Sequence, residues 1–346
     1  MGNVVISHEG PCPPHCVRQI PDPATPIDRR RGARELKIEI GSKERVLFKH
    51  RPIATLCVAG MLALVSSATV ALAQAPVEAS RIISIGGDIT EILYAIGADK
   101  RIVAIDTTSQ FPPGALKEKK SVGYMRALST EGVLSINADL IIASDRAGPP
   151  EVVNALKSTS VRYIEIADDF SASSIAGKTR QIAQAVGLDA AGNSLAARIE
   201  RDFDKLAELR KQIKKPMRVL FVLSTANGRV TVGGSQSSAD AILKLAGAEN
   251  AAAAVSGYKP ISDEALVEIK PDAVVTMQRT ASGSHAADQL ASMRGLSASP
   301  AVLLKRIIEM DGLYLIGFGP RAPAAALDLM RWLYPDLPIT RTGLHQ

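Results

Sequence analysis

Beyond residue 73 the chain has no cysteine; its three cysteines are Cys12, Cys16 and Cys57. The body of the protein therefore builds no disulfide and no thiolate metal site, which suits an oxidising compartment without the use of cross-links. Catalytic signatures are missing too. The run RIISIGGDIT superficially resembles a dinucleotide-binding turn, but no G-x-G-x-x-G is present, nor a nucleophile elbow, a zinc-ligand cluster or an acid–base pair at a telling spacing. A nicotinamide-dependent enzyme of Rossmann type is the weaker reading for that reason. Excess charge is also lacking: of the formal +6, residues 1–73 carry +4 (ten Lys/Arg against six Asp/Glu), leaving +2 for the rest. That balance disfavours nucleic-acid binding.

The N-terminus does carry a targeting pattern. Lys49, His50 and Arg51 precede the apolar run IATLCVAGMLALVSSATVALA, which closes on Ala71-Leu72-Ala73. Positive, apolar and small-residue regions in that order predict a secretory signal over 49–73, cleaved after Ala73. The competing reading is an uncleaved membrane anchor, because the run approaches spanning length. Residues 1–48 are an N-terminal extension that a misassigned start near Val46 or Leu47 would explain.

With 346 residues, 46% of them apolar and 22% charged, the chain is long enough for two modest packed domains. From residue 81, strand-like and helix-like segments alternate: RIISIGG, then DITEILYAIGA with Ile89, Ile92, Leu93 and Ile96 at helical spacing, then RIVAID, and so on to VRYIEIA. This alternation predicts parallel sheets with right-handed crossovers. After Asp169 comes a helical tract, with its longest helix expected from Asn193 to Lys215, stopped by Pro216. Strand–helix alternation then resumes. The expected layout is an N-terminal α/β lobe over 80–170, connecting helices over 171–215, a C-terminal α/β lobe over 216–338 and a tail over 339–346.

The halves repeat each other. STEGVLSINADLII (129–142) aligns without a gap on SDEALVEIKPDAVV (262–275), pairing Ser129 with Ser262, Glu131 with Glu264 and Asp139 with Asp272. GGDITEILYAIGA matches GGSQSSADAILKLAGA with a three-residue insertion. Duplication is the expected origin of the two lobes. Glu131 and Glu264 each fall near a helix start, where a carboxylate meets the positive end of the dipole.

One loop, SVGYMRALSTEG, sets Tyr124 two residues from Arg126. A lone loop tyrosine can be a rim residue bonded to backbone, or its phenolate can be a hard oxygen donor to ferric iron, helped to ionise by a nearby cation.

With a signal, two lobes and a helical connector in place, the chain resembles the periplasmic binding proteins of ABC importers for haem, vitamin B12 and ferric siderophores, over about residues 80–337. VGYMRALSTEGVLSINADLII, GYKPISDEALVEIKPDAVV and MDGLYLIGFGPRAP look like the haem-binding branch. The resemblance implies two Rossmann-like α/β lobes with parallel sheets joined by a single long helix, and no enzymatic activity. It implies capture of ferric haem b and delivery to the permease dimer of an inner-membrane transporter, with an outer-membrane haem receptor system involved indirectly. Cobalamin or a ferric siderophore is the alternative ligand.

Residue by residue, the resemblance puts Tyr124 on the haem iron and leaves Arg126 either to support the phenolate or to pair with a propionate. Tyr258 would line the opposite wall, as a packing residue or a second ligand. Arg279 would face a propionate or solvent. His285 is the alternative ligand, or else a free surface histidine. Glu131 and Glu264 would dock onto the permease. Some haem carriers of this branch stack two haems using a second-lobe histidine; Thr225 stands at that position here, which predicts one haem.

Overall fold

The computed structural model describes residues 79–226, 229–278 and 286–339. The expected signal and extension, together with Arg279 and His285, lie outside the described residues. No described helix is long and apolar enough to cross a membrane.

The first sheet has strands β1 (Ile82–Ile85), β2 (Ile102–Ile105), β3 (Lys120–Ser121), β4 (Leu140–Ser144) and β5 (Arg162–Ile166). They are ordered β3-β2-β1-β4-β5, and every pair is parallel. The crossovers are α1 (Gly87–Ala95), α2 (Ala115–Glu118), α3 (Thr130–Leu134) and α4 (Pro150–Lys157). Since strand order reverses between β1 and β4, a crevice is expected beyond the carboxyl ends of those strands.

The connector holds the expected long helix, α6 (Asp189–Arg210), preceded by α5 (Ala172–Ala185) and separated from it by Gly187 at φ +71°. The two helices close onto each other at Gly192, where a Cβ would lie 2.1 Å from the Ala183 Cβ. At ~1.5 Å per residue, the 22 residues of α6 reach about 33 Å.

The second sheet contains β6 (Arg218–Ser224), β7 (Val230–Gly233), β8 (Glu249–Asn250), β9 (Tyr258–Ile261), β10 (Ala273–Gln278) and β11 (Ile307–Asp311). Its order is β11-β10-β6-β7-β9, with β8 also on β6. Contrary to the expected parallel sheet, it is mixed: β7 runs antiparallel to both β6 and β9. The physical reason is the connection 225–229, which is hairpin-length and too short for a helical crossover. Helices α7 (Ser238–Leu245), α8 (Asp263–Ile269), α9 (Ala286–Ser292), α10 (Pro300–Leu303), α11 (Gly312–Ile316) and α12 (Ala322–Leu333) complete this half.

The repeat seen in the sequence is a repeat of physical roles. Ser129 and Ser262 both cap, accepting from the N–H groups of Gly132 and Ala265. Asp139 accepts from the backbone N–H groups of Ser80 and Arg81, and Asp272 from that of Arg218, so each clamps the start of a central strand. Helices α1 and α7 both end on a positive-φ glycine, Gly97 or Gly247, and the following alanine donates back to Leu93 or Leu243.

One apolar core runs through both halves. It takes Ile82, Ile105 and Ile142 from the first sheet, Leu195, Ile199 and Phe203 from α6, and Val219 and Phe221 from the second sheet. The opposite faces of the sheets bury Ile83, Ile85 and Ile141 on one side of the molecule, and Leu220, Val222 and Val274 on the other. The halves are further tied by Glu91 of α1, which is buried and accepts from the backbone N–H and Nη2 of Arg321 at the start of α12 (3.1 and 2.9 Å).

Candidate functional site

A cleft of about 630 Å³ opens between the two sheets, within the range of small-ligand sites. Its walls come from segments that follow strands: Gly87 and Asp88 after β1, Thr108 after β2, Tyr124 and Arg126 after β3, Arg146 after β4 and Phe170 after β5. The second half adds Leu223, Tyr258, Met277, Leu313 and Ile316.

The floor is held by Asp106, fully buried, whose carboxylate accepts from Gly86 N–H (2.8 Å), Thr108 N–H (2.8 Å) and Thr108 Oγ1 (2.7 Å). This fixes the Gly-Gly turn that opens α1. Gly87 must be glycine, since a Cβ there would sit 2.4 Å from the Thr108 carbonyl oxygen and 2.7 Å from Leu313 Cδ1 in the opposite half. The turn thus serves backbone approach between lobes.

The tyrosine loop is preorganised by its backbone. Gly123, at φ +88°, gives its carbonyl to Thr107 N–H, and Ala127 N–H closes a turn onto the Tyr124 carbonyl at 2.8 Å. Next, Gly148 N–H donates to the Met125 carbonyl while Leu128 N–H donates to the Gly148 carbonyl, both at 2.9 Å. The loop after β3 is therefore zipped to the loop after β4. Tyr124 and Arg126 ride on its crown, with Tyr124 45% exposed. Neither side chain has a hydrogen-bond partner among the described residues.

Tyr258 is different. It lies on the opposite wall, but its hydroxyl hydrogen-bonds Ser238 Oγ (2.7 Å) and accepts from Ala239 N–H (3.1 Å), and its ring meets Phe221 edge-on at 6.3 Å. Burial raises its pKa, outweighing these hydrogen bonds and the more distant Arg126 across the cleft. A phenol so satisfied and so reluctant to ionise is a packing residue. Thr225 follows β6 and does not line the cleft.

Behind the cleft, Lys178 is buried between Asp88 and Asp168, with Nζ 2.5 Å from each carboxylate. Burial alone would lower its pKa, but the two carboxylates prevail and hold the ammonium above its ordinary value. This triad locks α5 to α1 and was not foreseen from the sequence, which gives no cue that a lysine 90 residues further along the chain, in α5, faces the α1 turn.

Arg146 was also missed. It follows LIIAS at the carboxyl end of β4, and the rule that drew attention to Arg279 after β10 would have found it.

Residues 82–313 match the model of a protein family described as periplasmic binding protein. The chain belongs to this family. Among solved structures, it is similar to the periplasmic heme-binding protein RhuT from Roseiflexus sp. RS-1, at 35% identity and TM-score 0.71 over 74% of this chain and 98% of that one. It is similar also to the periplasmic heme-binding protein BhuT in complex with two hemes, at 35% identity and TM-score 0.69 over 74% and 98% of the chains. Among curated proteins, it is 27% identical to the ABC transporter substrate-binding lipoprotein YvrC of Bacillus subtilis, over 75% of this chain and 81% of that protein.

Members of this family bind substrates, and the geometry agrees in kind. The phenol of Tyr124 and the guanidiniums of Arg126 and Arg146 line the cleft among apolar side chains, groups that can hold a ligand. Glu131 and Glu264 are exposed, each the second residue of a helix capped by serine. A bond to its own backbone N–H, with help from the Ser262 hydroxyl, lowers the Glu264 pKa.

Proposed function

We propose that the protein captures one ferric haem b in the cleft and delivers it to the permease dimer of an inner-membrane ABC importer, catalysing no reaction itself. The observation that carries this reading is the Tyr124–Arg126 turn: a phenol and a guanidinium, both without protein partners among the described residues, held by backbone bonds at the mouth of a cleft otherwise walled by Met125, Phe170, Leu223, Met277 and Leu313. Apolar walls suit a porphyrin's faces, and a phenolate is an established axial donor to haem iron. The 35% identity to heme-binding proteins supports the same choice.

In this reading Tyr124 ligates the iron and Arg126 stabilises the phenolate or a propionate, while Arg279 contributes a propionate contact and His285 stands as the alternative ligand. Residues 49–73 export the protein to the periplasm, where an outer-membrane receptor system supplies haem indirectly. Lobes over 80–170 and 216–338 flank the connector, and their Glu131 and Glu264 dock on the permease.

Titration of the purified protein with ferric haem tests this. The expected result is an intense porphyrin absorption with a tyrosinate signature that saturates at one equivalent. Binding of cobalamin with no uptake of haem would overturn it.

A further inference from the structure

We propose that Arg146 is a specificity-determining residue that recognises a carboxylate of the ligand, so that the cleft selects a ligand bearing two carboxylates along one edge. The inference rests on the haem reading above, haem being such a ligand.

Three observations carry it. First, Arg146 lines the cleft from the loop after β4, and that loop is zipped to the Tyr124–Ala127 turn through Gly148, Met125 and Leu128. Two guanidiniums, Arg126 and Arg146, are thereby presented on one wall from two hydrogen-bonded loops, those after β3 and β4. Secondly, the Arg146 head is held in place: its Cζ lies 4.0 Å from the Phe170 ring centroid, and Nη2 donates to the Asp168 carbonyl oxygen. Phe170 is in turn braced edge-on by Phe318 at 5.2 Å. Stacking leaves the edge of a guanidinium available for in-plane hydrogen bonds, which is the geometry a carboxylate needs.

Thirdly, the remaining guanidinium donors have no acceptor among the described residues. The nearby carboxylates of the same wall, Asp88 and Asp168, are both taken by Lys178. A fixed cation with spare forked donors, beside carboxylates already engaged by Lys178, is arranged for an anion that arrives from outside. Its neighbour Tyr124 would hold the iron, so a carboxylate at Arg146 belongs to the rim of the same bound molecule.

The test compares haem with haem dimethyl ester, in which both carboxylates are esterified, on wild type and on Arg146→Ala. Wild type is expected to prefer haem, and Arg146→Ala to lose about tenfold or more in haem affinity while ester affinity stays unchanged. Arg146→Gln retains a donor for the Asp168 carbonyl and serves where alanine compromises folding; it should lose the same selectivity. Equal losses for haem and ester would overturn the proposal and leave Arg146 as a prop for Phe170, and so would no loss for either. If wild type bound neither compound, the haem reading itself would fall, and this inference with it.

Discussion

At the residue scale, the two cleft tyrosines differ in whether their hydroxyls have partners. Tyr124 and Tyr258 are both cleft tyrosines that follow a glycine in a repeat half, yet only Tyr258 has its hydroxyl satisfied, by Ser238 and Ala239. Sequence cannot separate them, because the distinction depends on α7 reaching Tyr258 from another part of the chain. Tyr124→Phe keeps ring size and apolar contact and removes the oxygen donor alone. The ferric complex should lose its tyrosinate charge-transfer absorption, and affinity should fall by about tenfold or more, with burial of the porphyrin against apolar walls leaving residual binding. An unchanged spectrum and affinity in that variant would remove Tyr124 from the iron and direct attention to His285.

At the element scale, what matters is how α1 and α12 are held across the two halves. Glu91 accepts twice from Arg321, whose Cζ also lies 3.6 Å from the Phe111 ring centroid. Burial nonetheless dominates and raises the Glu91 pKa above 4.5, with Arg321 opposing. A raised carboxyl pKa means that the native state binds its proton more tightly, so stability from this group is present below the unfolded pKa and is lost as pH rises through the folded value. Glu91→Gln has no such titration. The melting temperature of Glu91→Gln minus that of wild type should therefore become more positive as pH is raised from about 4.5; a difference flat with pH would show that Glu91 titrates normally. The element order was largely legible, since helical spacing and terminal glycines report local preferences. The ion pair was not, because its partners lie 230 residues apart. One further departure has a local cause that a closer reading could use: the connection 225–229 has hairpin length, which reverses β7.

At the scale of the whole molecule, duplication gives two lobes whose exposed ends are alike. Ser129 and Ser262 cap α3 and α8 in the same way, and Glu131 and Glu264 project as the second residue of each helix. Near-equivalent carboxylates on two pseudo-symmetric lobes suit a receptor that is itself a dimer, which would offer each of them the same cationic pocket. Both glutamates are exposed, and the cleft lies on other residues, so removing them should leave the ligand site intact. The two helix starts differ in charge: Asp263 precedes Glu264, whereas Thr130 precedes Glu131, so the first turn of α8 carries one carboxylate more than that of α3. Glu131→Ala combined with Glu264→Ala is expected to lower haem-stimulated ATP hydrolysis by the reconstituted permease about tenfold at limiting binding protein, with haem affinity unchanged and the gap from wild type narrowing as salt screens the charge pairs. Each single variant should show a smaller loss. Full stimulation by the double variant would remove both glutamates from docking, and a parallel loss of haem affinity would place the defect in the fold of the lobes instead.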